Sequence, residues 1–230
     1  MGRAAAVVIS FALVLSAFLT QPVASAPYRT VSRDLTLSRI AVIGDSYTNG
    51  TDIGGRGPNA WTSVAWQTLQ RQGLAVTADV AAEGRAGYGV RGDHNSLFTD
   101  LTARAVRPDD SLVVFFGSRN DQGVDPPLLT ALTHDTLAQA HRTAPSARIL
   151  VIGPPWPTAN VPGSVLQIRD ILNGAARSVG AAFVDPIGAG WFVGRPDLIG
   201  SDGVHPNDAG HGYMAGRIAP LIAAQLPRRL

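Results

Sequence analysis

Ser46 stands in Gly44-Asp45-Ser46, directly after the apolar run Ile40-Ala41-Val42-Ile43, and His205 closes Asp202-Gly203-Val204-His205-Pro206 near the far end of the chain. A serine hydroxyl is a poor nucleophile until a base takes its proton, and an imidazole acts as that base when a carboxylate holds its other ring nitrogen. Asp202 can reach that nitrogen from within the same loop, with Gly203 letting the backbone turn. Between the two ends lie a glycine-rich turn carrying Gly84 and Gly87, and Asn120 in Gly117-Ser118-Arg119-Asn120-Asp121. Gly87 offers a backbone N–H with no side chain in a substrate's way, and the Asn120 amide donates without changing charge. With the Ser46 N–H these are candidate donors to an oxyanion. Each fragment alone is ordinary turn chemistry. Nucleophile, base, orienting acid and oxyanion donors together point to acyl transfer. The chain has no Gly-x-Ser-x-Gly elbow.

The elements needed to bring these residues together are legible in the pattern. Residues 39–43, 74–80, 112–116, 148–152 and 182–184 read as strands, with 112–116 a continuous apolar run suited to a central position. Helices are predicted from about 60 to 72 (Asn59 as the cap, Gly73 as the stop), 96–106, 126–143, around Val165, Ile168, Leu172 and Val179, and 207–226. Strands alternating with helices predict a parallel sheet covered on both faces. In an open sheet of that type a site lies beyond the carboxyl ends of the strands, and Ser46, Gly87 and Asn120 follow the first, second and third strands. Pro154-Pro155-Trp156-Pro157 forces an extended loop.

Composition narrows the function classes. The 230 residues suit one domain with a sizeable core. All 19 basic residues are arginine, Glu83 is the only glutamate, and the formal net charge is +2. The arginines are scattered rather than set in a stripe with aromatics, so nucleic-acid binding has no support. The absence of cysteine excludes thiol catalysis and thiolate metal sites. A metal reading of His205, His211, Asp202 and Asp208 lacks a His-Glu-x-x-His spacing and is set aside. Arg3, an apolar run to Leu19 and Ala24-Ser25-Ala26 have the layout of a secretory signal. Residues 1–26 are therefore expected to direct export, with cleavage near Ala24–Ala26. Residues 27–38 are a polar lead-in and 39–230 the catalytic domain. The apolar run is short of the ~20 residues of a spanning helix, so no stable membrane span is expected unless the signal is retained.

The order Gly-Asp-Ser, Gly, Asn, Asp-x-x-His over about residues 39–226 resembles the SGNH hydrolases, the GDSL-type esterases and lipases. That resemblance implies a flavodoxin-like three-layer α/β/α sandwich on a mainly five-stranded parallel sheet, and no cofactor. It implies Ser46 as nucleophile, Asp202 and His205 as the rest of the triad, and Ser46, Gly87 and Asn120 as the oxyanion hole; Gly87 is preferred to Gly84 because the family's donor lies late in that turn. Tyr47 stands where the name-giving motif has leucine. The third block has Gly117 one residue further from Asn120 than the family's Gly-x-Asn-Asp, with Ser118 in the glycine's place. The expected activity is hydrolysis of carboxylic esters through an acyl-enzyme, with short-acyl or carbohydrate esters favoured over longer lipid esters, by a secreted monomer. Trp156 and Tyr88 are the candidate substrate-binding aromatics. An acyltransferase using the same triad on a sugar acceptor, and a non-catalytic carbohydrate- or cell-wall-binding module, are the competing readings. The module would lack a triad member, and none is missing.

Overall fold

In this computed structural model residues 37–227 are described. The expected signal segment, most of the lead-in and residues 228–230 lie outside them. Five strands form one sheet: β1 (Ser38–Gly44), β2 (Val76–Ala82), β3 (Leu112–Phe116), β4 (Arg148–Ile152) and β5 (Ala182–Val184). All neighbouring pairs are parallel, in the order β2-β1-β3-β4-β5. Side chains alternate across the pleat, so each apolar strand feeds two cores. Ala41, Ile43, Val113, Phe115 and Val151 face one side and meet α3 (Phe98–Ala105), α4 (Pro126–Thr143) and α5 (Gly163–Ser178) through Leu101, Leu137 and Leu172. Ile40, Val42, Val114, Phe116 and Ile152 face the other and meet α2 (Trp61–Arg71) and α6 (Asp208–Gln225) through Trp61, Leu69, Met214 and Ile218. The result is a three-layer α/β/α sandwich, as the resemblance implies. No described helix is long and apolar enough to cross a membrane.

The sheet order reverses between β1 and β3, and the chain leaves both strands at the same edge. That crevice is where an open parallel sheet presents a ligand site. The one-turn helix α1 (Ser46–Asn49) follows β1 directly, and a short 3-10 turn, Arg119–Asp121, follows β3. Two details differ from expectation. The second strand lies two residues later than predicted, at Val76–Ala82. Asn59 does not cap α2, which starts from Ala60 without a side-chain cap. The Asn59 amide instead donates to Asp208 Oδ2 at 2.8 Å, 149 positions away, so a long-range contact took the side chain that local propensity assigned to the helix end. Asn207 does cap α6, accepting from the Gly210 N–H at 2.9 Å.

Candidate active site

The Gly-Asp-Ser turn is built by close packing. A Cβ on Gly44 would lie 2.3 Å from Thr48 Oγ1, so only glycine lets α1 fold back onto the strand end. Asp45 caps that helix, its Oδ1 accepting the Tyr47 N–H at 2.9 Å. The cap leaves the Ser46 hydroxyl facing the crevice and the Ser46 N–H at the open helix start. The other half of the site comes from the loop before α6. Ile199 and Pro206 bridge its two arms, and the Gly200 N–H donates to the His205 carbonyl at 2.8 Å. Gly203 takes a positive φ of 69° at the tip. Asp202 Oδ1 accepts the N–H groups of Val204 and His205, each at 2.9 Å.

These two loops bring together residues 159 positions apart: His205 Nε2 lies 3.0 Å from Ser46 Oγ. The other ring nitrogen, Nδ1, is 2.6 Å from Asp202 Oδ2. Burial alone would raise the Asp202 pKa, but the bonds from the His205 ring and from the His205 and Val204 backbone outweigh it and hold the carboxyl at about 2. An ionised carboxylate only accepts, so Nδ1 carries the proton and Nε2 is left as an acceptor for the serine hydroxyl. The two side chains remain 27% and 35% exposed, which leaves water access to the imidazole.

Asn120 lies beside this pair, its amide donating to the Ala86 carbonyl at 2.9 Å. Ser118 Oγ donates to the same carbonyl at 3.2 Å and accepts the Asn120 N–H at 3.1 Å. The serine in the glycine's place thus ties the turn after β3 to the turn after β2. One amide hydrogen of Asn120 is engaged by Ala86 and the second remains available. Gly87 is not placed as an oxyanion donor. Its N–H donates to the Val90 carbonyl at 2.8 Å, and a Cβ there would lie 2.4 Å from Asp121 Oδ1, on the inner side of the turn. Gly84 and Arg85 form the crevice wall instead, and no backbone or side-chain acceptor among the described residues takes the Gly84 N–H. Tyr88 is likewise not a substrate residue: it is fully buried, packed on Phe98 and Phe115 in the core. Trp156 does not line the crevice; it lines a separate pocket, with the guanidinium of Arg119, a crevice residue, 4.2 Å over its ring.

Several functional supports carried no sequence signal strong enough to single them out. Asp121 accepts the N–H groups of Tyr88, Gly89 and Val90 at 3.0, 2.8 and 3.1 Å, organising the turn after β2. Glu83 accepts from the His94 and Ser96 N–H groups; burial would raise its pKa, but these bonds and the Ser96 hydroxyl hold it low. Asp208 accepts the Gly55 N–H at 2.8 Å and so pins the rim loop, residues 50–59, to the start of α6. His211 sits beneath that loop, accepting the Trp61 N–H on Nδ1 at 3.3 Å; burial lowers its pKa to about 4 against the pull of the Asp208 charge. Asp208 and His211 thus have structural partners of their own. Among the described residues no group of three or more His, Asp or Glu side chains is arranged to hold a metal.

The crevice has a volume of about 520 Å³ and is strongly polar, lined by Asn49, Thr51, Asp52, Arg56, Arg85, Asp93, Arg119, Asn120 and Gln122 around Ser46 and His205. Among the described residues Val204 is its only aliphatic side chain.

Asp45, next to the serine, is fully buried and its Oδ2 has no hydrogen-bond partner. Burial pushes its pKa from 3.8 up to about 7, against the Tyr47 N–H and the Arg119 charge. Between these two values the folded chain keeps a proton that the unfolded chain releases, so this group's contribution to stability falls as pH rises from about 4 to 7. Asp45→Asn, neutral at every pH and still able to cap α1, is expected to melt above the wild type at pH 8. The gain is up to about 4 kcal/mol and fades as pH approaches 4. Thermal melts of both proteins across that range check it; a melting difference independent of pH would count against it.

The profile of the GDSL-like Lipase/Acylhydrolase family matches residues 42–213. The chain is 57% identical over 229 residues to GDSL lipase Rv0518 of Mycobacterium tuberculosis, covering 98% of this chain and 99% of that protein. Among solved structures, TesA superposes with a TM-score of 0.65 at 20% identity, over 82% of this chain and 100% of the other. The lipase/acylhydrolase of Enterococcus faecalis does so with 0.63 at 16%, over 84% and 99%. A family two carbohydrate esterase from Clostridium thermocellum gives 0.64 at 16%, over 82% of this chain, which spans 64% of that longer protein.

Proposed function

Given that this chain belongs to the GDSL-like lipase/acylhydrolase family and is a carboxylic ester hydrolase, we propose that it cleaves short-acyl esters of polar alcohols through an acyl-enzyme on Ser46. The observation that carries this reading is the 3.0 Å contact between Ser46 Oγ and an imidazole nitrogen left free to accept. In the first step Ser46 Oγ attacks the ester carbonyl while His205 Nε2 takes its proton. Asp202 stabilises the imidazolium without itself becoming protonated. The imidazolium then protonates the leaving alcohol. In the second step a water, entering past the half-exposed His205, gives its proton to the same nitrogen and attacks the acyl-enzyme, and Ser46 recovers its hydrogen. The developing oxyanion is held by the Ser46 N–H, by the Gly84 N–H in place of Gly87, and by the Asn120 amide hydrogen not engaged by Ala86. Asn120→Ala is expected to lower kcat by about 100-fold or more with little change in KM, as for the loss of an interaction made chiefly in the transition state. Steady-state kinetics on p-nitrophenyl acetate measure it, and an unchanged kcat would assign the third donor elsewhere.

The crevice lining supports the substrate class. A long acyl chain laid over arginine, asparagine and aspartate would strip them of water without returning hydrogen bonds, whereas a sugar or another polyol returns them. The layout of residues 1–26 supports export, which would place such an enzyme among extracellular esters. The test is a panel of p-nitrophenyl acetate, butyrate and palmitate with acetylated monosaccharides. Acetate should exceed palmitate in kcat/KM by about tenfold or more. Equal rates on palmitate would overturn the short-acyl assignment. Absence of fluorophosphonate labelling at Ser46 would overturn the acyl-enzyme.

A further inference from the structure

Tyr47 follows the nucleophile in sequence and is fully buried. Its hydroxyl donates to the Val204 carbonyl at 2.5 Å, 157 positions away. Val204 directly precedes His205, and the N–H groups of both are held by Asp202 Oδ1. The Tyr47 ring packs edge-on against Phe116 and Phe192 and lies 6.0 Å from the His205 ring. The other hydrogen bonds of the 199–206 loop are internal to it or run to the residues flanking it, Pro196 on one side and Asn207 at the start of α6 on the other. Apart from the Ser46–His205 contact itself, the Tyr47 hydroxyl is the hydrogen bond that ties α1 to the loop carrying the base. A leucine, the residue of the name-giving motif at this position, has no group that could make it.

We propose that Tyr47 is a positioning residue, whose hydroxyl, bonded to the Val204 carbonyl, holds the His205 imidazole at proton-transfer distance from Ser46; this rests on the triad assignment above. The consequence is specific. Without the hydroxyl the loop keeps its internal bonds and the His205–Asp202 pair stays intact, but its register against Ser46 loosens. Near-attack geometry is then populated less often while substrate binding in the crevice is untouched.

The experiment compares wild type, Tyr47→Phe, Tyr47→Leu and Ser46→Ala on p-nitrophenyl acetate; rates of the three proteins that keep Ser46 are expressed per fluorophosphonate-titrated site so that any misfolded fraction does not count, and that of Ser46→Ala per mole of folded protein. The expected result for Tyr47→Phe is a fall in kcat of about tenfold, the scale of a sub-ångström misplacement of a reacting group, with KM unchanged and the phosphonate labelling rate reduced by a similar factor. Tyr47→Leu should fall at least as far. A kcat per titrated site equal to wild type in Tyr47→Phe overturns the proposal, as does a loss confined to melting temperature or to KM. If Ser46→Ala itself keeps its activity, the triad assignment fails and takes this inference with it. If Ser46→Ala is silent and Tyr47→Phe behaves as wild type, only the positioning role fails.

Discussion

Ser46→Ala is expected to lower kcat for ester hydrolysis roughly a million-fold while leaving the fold and KM close to wild type. The side chain is nearly buried and small, and the capping bond of the helix runs from the Tyr47 N–H to Asp45 rather than to the serine, so the variant loses the nucleophile and little else. The residual rate should not be zero. The Ser46 backbone N–H survives the substitution, and with the proposed Gly84 and Asn120 donors it should still stabilise the oxyanion formed by attacking water. For that reason the effects should not add. His205→Ala should fall to a similar level, and the double variant Ser46→Ala, His205→Ala should be scarcely slower than either, because a base without its nucleophile has no proton to take. Site-resolved labelling by a fluorophosphonate, read by mass spectrometry, separates this outcome from its rival. A Ser46→Ala protein still labelled, or hydrolysing p-nitrophenyl acetate within tenfold of wild type, would move the nucleophile elsewhere.

The second large effect belongs to Asp202→Asn, for which kcat should fall by about 10⁴-fold. The substitution keeps the size of the side chain, and its carbonyl oxygen can still accept the Val204 and His205 N–H groups that shape the loop. What changes is the atom 2.6 Å from His205 Nδ1, where a carboxylate oxygen now accepts. An amide NH2 there donates, so the ring must present Nδ1 as the acceptor and move its hydrogen to Nε2. The nitrogen facing Ser46 then carries the proton it is needed to receive. Geometry survives and the tautomer is wrong, so the loss appears in kcat with KM little changed. In the wild type the orienting bond is robust toward acid. The folded-state pKa of Asp202 is depressed from 3.8 to about 2, so its stabilising contribution is complete above about pH 4 and disappears only as pH falls through 2. Activity lost on mild acidification therefore does not report protonation of Asp202. A variant that retained wild-type kcat would show that another group sets the tautomer.

Much of the scaffold was legible because it is written in near neighbours. The runs at 112–116 and 148–152 are apolar at every inward position on both faces, and a strand buried on both sides has few other sequences open to it. The helix over Pro126–Thr143 begins with proline after a capping aspartate and ends before Pro145. The Asp202–His205 pair could be read because both residues lie in one loop, with Gly203 between them to make the turn. Alternation alone predicted a parallel sheet with its site beyond the carboxyl ends of the strands, whereas the flavodoxin-like arrangement came from the family resemblance.

What sequence left open were choices between chemically equivalent residues and contacts across the chain. Gly84 and Gly87 share one turn and one composition; which N–H faces the crevice depends on where Val90 and Asp121 lie after folding, and Asp121 reaches that turn from beyond the third strand. Tyr88 and Trp156 looked alike as aromatics beside glycine and proline, yet one fills the core and the other stacks on Arg119 away from the nucleophile. Asn59 could cap a helix locally, but Asp208 claimed it from a distant element. The sequence by itself determined the elements, their parallel order and the kinds of group available for acyl transfer, because propensity, periodicity and turn chemistry act between residues a few positions apart. Only the tertiary structure decided which backbone N–H groups are left unbonded beside the crevice, what lines it and which residues tie the loop of His205 to α1. Those depend on the packing of loops from opposite ends of the chain, where the choice among chemically similar partners is made by distance and direction rather than by residue type.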